Sequence, residues 1–151
     1  MMTSWRVVRG EFAARAFDGE GARVWGGRWN SPGHAVVYTS ATTSLGLLEK
    51  MVHADMGLPP LYITVSVTFD AGLIETVELE VLPDDWRSLP APFTLKQIGD
   101  EWADSNRSCI LEVPSVIVPH ESNFILNPQH EDFTSIRIGD PIDLDIDQRL
   151  A

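Results

Sequence analysis

Only one cysteine, Cys109, stands in the 151 residues. That excludes an internal disulfide and the stapled scaffolds of small secreted domains, and the cytoplasm is the expected home. Cys-x-x-Cys and His-Glu-x-x-His are both missing, and His34, His53, His120 and His130 are scattered. No metal centre is expected from such a set. No run approaches the ~20 apolar residues of a membrane-spanning helix. The stretch from Met1 to Gly10 lacks the apolar core of a secretory leader, so none is expected. No glycine is followed by the Lys-Ser/Thr of a phosphate loop, the spacing of a dinucleotide-binding fingerprint is absent, and there is no nucleophile elbow. There is no internal repeat, low-complexity tract or linker, and the length suits one core, so a single domain over residues 1–151 is expected.

Positive charge is also scarce: 11 Lys plus Arg face 22 Asp plus Glu, a net of −11. An acidic chain repels a phosphate backbone, so direct nucleic-acid binding is not expected. The basic residues are unevenly spread, with Arg6, Arg9, Arg15, Arg23 and Arg28 all in the first thirty positions. A locally positive region in an acidic protein fits a focused site for a small anion.

What is present centres on Gly26-Gly27-Arg28-Trp29-Asn30-Ser31-Pro32-Gly33. Glycine lets backbone approach a ligand or take positive φ, and arginine grips phosphate or carboxylate with a planar fork. Residues 19–27 read as a glycine-rich loop, and Ser31-Pro32-Gly33 as a turn. Strands are expected over residues 5–8, 35–39, 61–69, 73–79 and 134–138, and extended pieces over 109–113, 115–118 and 123–127. Thr42 or Thr43 can cap a helix reaching about Met56, with Leu45, Leu48 and Val52 as its apolar stripe. Glu49 lies at the edge of that stripe and His53 one turn later. Thr94 and Gln97 suggest a capping box for a helix ending near Asn106. The expected class is α+β with more strand than helix.

Arg28, Tyr38 and Glu49 offer complementary chemistry: an anion fork, an aromatic face, and a carboxylate able to stabilise positive charge at an anomeric carbon. Residue types alone leave plain alternatives open. Tyr38 is equally an edge-strand aromatic, Glu49 a solvated helix residue, and Ser122 a turn residue.

Read together, Trp5-Arg6-Val7, the Gly26–Gly33 stretch, Val37-Tyr38-Thr39-Ser40, residues 48–53, residues 113–119 and 121–128 resemble the RES domain. This is the toxin half of bacterial toxin–antitoxin pairs whose partner is an Xre-type antitoxin. The family is named for an arginine, a glutamate and a serine, which match Arg28, Glu49 and Ser122, while Tyr38 and His53 match its tyrosine and histidine. The resemblance implies an ADP-ribosyltransferase-like fold, with split, bent β-sheets around an NAD cleft. It also implies NAD consumption by hydrolysis or phosphorolysis of the nicotinamide–ribose bond, without a metal.

On that resemblance Glu49 holds the ribose and stabilises the oxocarbenium-like transition state, and Ser122 orients Glu49 or a ribose hydroxyl. Tyr38 packs on the nicotinamide. Arg28, Arg6 and Gly27 approach the pyrophosphate or adjoining ribose, with His53 and Asn123 completing the cofactor contacts. Transfer of ADP-ribose to a protein is the alternative reaction, and a non-catalytic nucleotide-binding module is the alternative class.

Overall fold

Among the described residues eight strands join in one sheet, in the order β4-β5-β6-β2-β1-β3-β7, with β8 pairing β3 beside β7. In this computed structural model residues 1–53 and 61–150 are described. The strands are β1 (Met2–Arg9), β2 (Val37–Ser40), β3 (Tyr62–Phe69), β4 (Ile74–Thr76), β5 (Ile110–Pro114), β6 (Ser122–Leu126), β7 (Arg137–Ile138) and β8 (Ile142–Leu144). The helices are α1 (Glu20–Trp25), α2 (Thr43–His53) and α3 (Phe93–Ser105). Only β4 and β5 run parallel.

β3 alternates as its β-branched sequence requires, with Val65, Val67 and Phe69 buried on one face. Its ladder with β1 runs unbroken from Met2↔Phe69 to Arg9↔Tyr62. That partner extends β1 beyond the Trp5–Val8 run its own sequence suggests. Between β1 and β2, by contrast, the ladder is the single pair Trp5↔Ser40. The sheet thus has two halves, β1-β3-β7-β8 and β2-β6-β5-β4, meeting at one point. This is the split, bent arrangement expected.

One face of the β2-β6-β5 half is covered by α3, where Leu95 and Trp102 join Trp29, Val36, Leu111, Val113 and Ile125. The other face buries Val37, Val67, Phe69, Ile110, Phe124 and Leu126, with Phe69 and Phe124 tilted at 5.8 Å between ring centres. A third cluster, Val8, Ala16, Ile63 and Val65, covers the β1–β3 half.

Several local expectations change on folding. Residues 20–25 of the glycine-rich loop form α1. Thr42 does cap α2, its Oγ1 accepting from the Leu45 amide at 3.0 Å. Yet Leu48 and Val52 of the proposed stripe are 40% and 62% exposed. The buried side is instead set by Leu45 and by Gly46, where an added Cβ would stand 2.9 Å from Val7 Cγ2. The expected end near Met56 lies outside the described residues. α3 starts one residue before Thr94 with Pro92 as its N-cap and no side-chain cap, so the capping box does not form. Residues 115–118 bend rather than extend, because Ser115 Oγ accepts from the amides of Ile117 and Val118, both at 3.1 Å. Residues 131–135 are a 3₁₀ turn and leave only Arg137–Ile138 as strand. Residues 79–81 are also 3₁₀, shortening the 73–79 strand to β4.

The Ser31-Pro32-Gly33 turn is fastened to α3. The Ser31 amide donates to Asp100 Oδ1 at 2.8 Å, and His34 approaches Asp100 at 3.3 Å and Asp104 at 3.2 Å. Burial opposes charge on His34, but Asp104 and Asp100 together outweigh it and raise the pKa above 6.5. A raised folded-state pKa contributes stability that is complete below the unfolded value and lost as pH rises through the folded one. The melting temperature of the wild type should therefore fall relative to His34→Asn as pH rises from about 5.5 to about 8.5. Parallel profiles for the two proteins would remove the ion pair from the stability account.

Candidate active site

Arg28 rides on a short loop whose shape is set by neighbours. Gly26 has φ +74°, and the Gly27 amide closes the loop onto the Asn30 carbonyl at 3.0 Å. Asn30 is fully buried, its Nδ2 donating to the Ala22 and His34 carbonyls at 2.9 and 3.1 Å. Its Oδ1 accepts from the Tyr38 hydroxyl at 2.6 Å, which in turn accepts from the Trp29 amide at 3.1 Å. Burial pushes the Tyr38 phenol further above its ordinary pKa. Its polar end is thus committed inside the loop, and its ring packs beside the Trp29 cluster. Through its hydroxyl Tyr38 supports the loop.

Gly27 serves the same support. An added Cβ there would lie 2.6 Å from the Tyr38 hydroxyl, while its carbonyl accepts from Lys96 Nζ. Its missing side chain makes room for Tyr38.

The Arg28 guanidinium donates through Nη1 to the carbonyls of Trp86 and Ser88, at 3.2 and 3.1 Å. Among the described residues Nε and Nη2 have no hydrogen-bond partner and the group makes no ion pair. Burial lowers its pKa, against the attraction of Glu49 and of Tyr38. Arg28 thus stands close enough to Glu49 to feel its field, with half of its fork available to an anion.

Glu49 projects from α2 to the end of β6. Its Oε1 accepts from Asn123 Nδ2 at 2.7 Å and from Ser115 Oγ at 3.0 Å. Behind Asn123, the Ser40 hydroxyl donates to Oδ1 at 2.7 Å. Behind Ser115 stand the two amides of its bend, which turn its hydroxyl proton toward the carboxylate. Oε2 has no hydrogen-bond partner among the described residues. One oxygen is pinned and the other is left for a ligand.

The serine on Glu49 is Ser115, not Ser122. Side chains alternate along a strand, so Asn123 facing Glu49 puts Ser122 on the opposite face. There it lines a cleft of about 210 Å³ with Thr76, Glu78, Glu80, Glu112 and Glu121. Sequence reading missed Ser115 because both serines sit near Asn123 in the chain and only the fold separates them. The available signal was Pro114, which ends β5 and frees Ser115 to bend. Ser115→Ala should lower turnover by about tenfold, the value of one hydrogen bond to a charged group, whereas Ser122→Ala should stay near wild type. The reverse ranking in steady-state assays would restore Ser122.

Arg6 lies where β1 and β2 part. It donates through Nη1 to the Tyr38 carbonyl at 2.8 Å and through Nε to the Ala16 carbonyl. Burial lowers its pKa to about 10, opposed by Asp18. His53 is the last residue of α2, and its side chain lies outside the described residues. The fold therefore brings Arg28, Tyr38, Glu49 and Asn123 to one face of the sheet, sets Arg6 in the split beside it, and takes Ser122 away.

Residues 3–147 match the family model of the RES domain. A protein of Yersinia enterocolitica named Toxin Res is 37% identical over 151 residues, covering 99% of each chain. The chain belongs to the RES-domain family. A second RES relative, from Sphingobium sp., is named Prs ADP-ribosylating toxin and is 38% identical, covering 91% of this chain and 89% of its own. In fold, this RES domain is similar to a chain of the M. tuberculosis MbcT–MbcA toxin–antitoxin complex, with a TM-score of 0.67, 21% identity, and coverage of 95% and 84%. Its fold class is the mixed, curled-sheet ADP-ribosyltransferase-like one that the sequence suggested.

Proposed function

We propose that this RES-domain chain is the toxin of a toxin–antitoxin pair and cleaves the bond between nicotinamide and ribose in NAD. The observation that carries this reading is the Glu49 carboxylate, with Oε1 held by Ser115 and Asn123, Oε2 unpartnered among the described residues, and Arg28 nearby. As the glycosidic bond lengthens, its electron pair leaves with nicotinamide and positive charge develops over the anomeric carbon and ring oxygen. A fixed carboxylate stabilises that charge without reorganising. Arg28 offers its free donors to the anionic part of the dinucleotide. Tyr38 and Asn30 hold the Arg28 loop in place. Water or phosphate then adds to the anomeric carbon, and the acceptor's proton is released to solvent.

The toxin assignment is supported by the relatives named Toxin Res. The toxin–antitoxin title of the structural neighbour supports an inhibitory protein partner, which the family resemblance makes Xre-type. The working compartment is the cytoplasm, and no helix among the described residues is long and apolar enough to cross a membrane. The toxin contacts DNA only through its partner, given a net charge of −11.

Transfer of ADP-ribose to a protein is the second reading, favoured by the relative from Sphingobium sp. that bears an ADP-ribosylating name. Mass spectrometry of NAD incubated with the protein, with and without phosphate, separates the outcomes. Free nicotinamide with ADP-ribose or its phosphate ester supports cleavage. A discrete labelled band in a cell extract given labelled NAD supports transfer. Binding of NAD with no consumption under any condition leaves a nucleotide-binding module and overturns the enzyme reading.

A further inference from the structure

Trp86, Arg87 and Ser88 send hydrogen bonds toward both halves of the site. Two overlapping turns shape this segment, with the Trp86 amide on the Pro83 carbonyl at 3.0 Å and the Ser88 amide on the Asp85 carbonyl at 2.9 Å. Trp86 packs against the cluster of Trp29, Leu82 and Leu95, which ties the turns to the core. The carbonyls of Trp86 and Ser88 both accept from Arg28 Nη1. Arg87, between them, reaches elsewhere: its Nε donates to the Val116 carbonyl at 2.9 Å. Among the described residues this is the only hydrogen bond from the 83–92 loop to the bend that carries Ser115.

The peptide unit joining Val116 to Ile117 is thereby gripped at both ends. Its carbonyl takes the Arg87 donor, and its N–H donates to Ser115 Oγ at 3.1 Å. Ser115 is fully buried and donates in turn to Glu49 Oε1 at 3.0 Å. A peptide unit is planar, so its carbonyl cannot turn without its N–H. Every link runs donor to acceptor in one direction, from a permanently charged guanidinium to a carboxylate, and bonds in such a chain strengthen one another. The bend is closed separately, by the Ser115 amide on the Glu121 carbonyl and the Glu121 amide on the Val118 carbonyl, both at 2.9 Å. Neither of those bonds touches the 116–117 unit.

We infer that Arg87 is a positioning residue for Glu49, acting through the 116–117 peptide and Ser115, while the carbonyls on either side of it hold Arg28. The reaction it serves is the NAD cleavage proposed above, on which this role rests. A carboxylate at the anomeric carbon and a fork on the anionic part of one dinucleotide work together only at a fixed separation. Three consecutive residues set that separation here. Arg87 itself is exposed, so its bond to Val116 adds little to global stability.

The test compares wild type, Arg87→Met, Arg87→Lys, Ser115→Ala and the double variant of Ser115→Ala with Arg87→Met. Nicotinamide release is measured, and the substrate-free proteins are observed by NMR with labelled backbone amides and labelled glutamate carboxyls. Arg87→Met keeps the apolar stem and removes the donor, so kcat should fall about fivefold, the worth of one hydrogen bond. KM for NAD should stay within about twofold, because Glu49 acts on charge present only as the bond breaks. Arg87→Lys, whose ammonium can reach the same carbonyl, should recover most of the loss. In the Ser115→Ala background Arg87→Met should change kcat by less than about twofold, since the link is already cut. Without substrate, Arg87→Met should move the Ile117 amide and Glu49 carboxyl resonances while the melting temperature stays within about 2 °C of wild type.

Wild-type kcat in Arg87→Met, or an equal loss with and without Ser115, overturns the role. So does a loss that tracks a fall in melting temperature and that lysine does not repair. Moved resonances in a protein that releases no nicotinamide keep Arg87 as the support of Glu49 and sink the NAD reading. Unmoved resonances overturn the inference whatever the protein does to NAD.

Discussion

Glu49→Gln should cut nicotinamide release from NAD by about a hundredfold to a thousandfold, the usual loss when one preorganised transition-state contact is removed. The fold should survive, with a melting temperature within a few degrees of wild type. The amide oxygen of glutamine can still accept from Asn123 and Ser115, now at 2.7 and 3.0 Å from Glu49 Oε1, so the side chain stays in place. What changes is the outward group, from an anionic oxygen to a neutral NH₂. The loss should appear mainly in kcat, since the carboxylate acts on charge present only as the bond breaks. A variant that keeps wild-type turnover would falsify the role given to Glu49, and the Arg28 side of the cleft would then have to account for the chemistry. A variant that unfolds would show instead that the Ser40-Asn123-Glu49-Ser115 chain is structural.

Gly99→Ala should be the most damaging single methyl in the protein. A Cβ at position 99 would lie 1.6 Å from the Trp29 carbonyl oxygen and 2.8 Å from its carbon. Both are backbone atoms, so no rotamer change relieves the contact, and α3 must move off the loop carrying Arg28. Overpacking of this kind costs about 3 kcal/mol or more, a fall of about 10 °C in a domain of this size. Turnover should drop beyond what the lower stability explains, because Trp29 follows Arg28 directly and its amide is anchored on Tyr38. Gly21→Ala is the matched control. Its added Cβ meets nothing within 4 Å, and it lies in α1, where alanine is favoured by about 0.5–1 kcal/mol. Equal melting temperatures for the two variants would show that the α3 contact yields more easily than its backbone geometry implies.

The strands were the most legible part, because period-two patterning reports burial directly. Tyr62–Phe69 was plain from its residues, and β1 was under-read only because its outer pairs depend on β3. Helix faces were harder. The stripe of Leu45, Leu48 and Val52 is real as a pattern, but the sheet accepts α2 through Gly46, and two of the three residues remain exposed. Glycine carries no hydrophobic signal, so a buried face built on it is invisible to periodicity. Gly99 was missed for the same reason. Chain distance says nothing of which face a residue takes when a bend lies between Ser115 and Ser122, so the serine that meets Glu49 is legible only in the fold.

By itself, the sequence determined the class of fold and the resemblance to the RES family, and it marked Arg28, Tyr38 and Glu49 as candidates. Those depend on local pattern and residue type, which a chain carries with it. The tertiary structure decided which hydroxyl holds Glu49 and that Tyr38 braces a loop. Such facts depend on contacts between residues as much as 74 apart in the chain, as Asn123 is from Glu49. A hydrogen bond needs its partners within about 3 Å, and only the folded sheet brings them there.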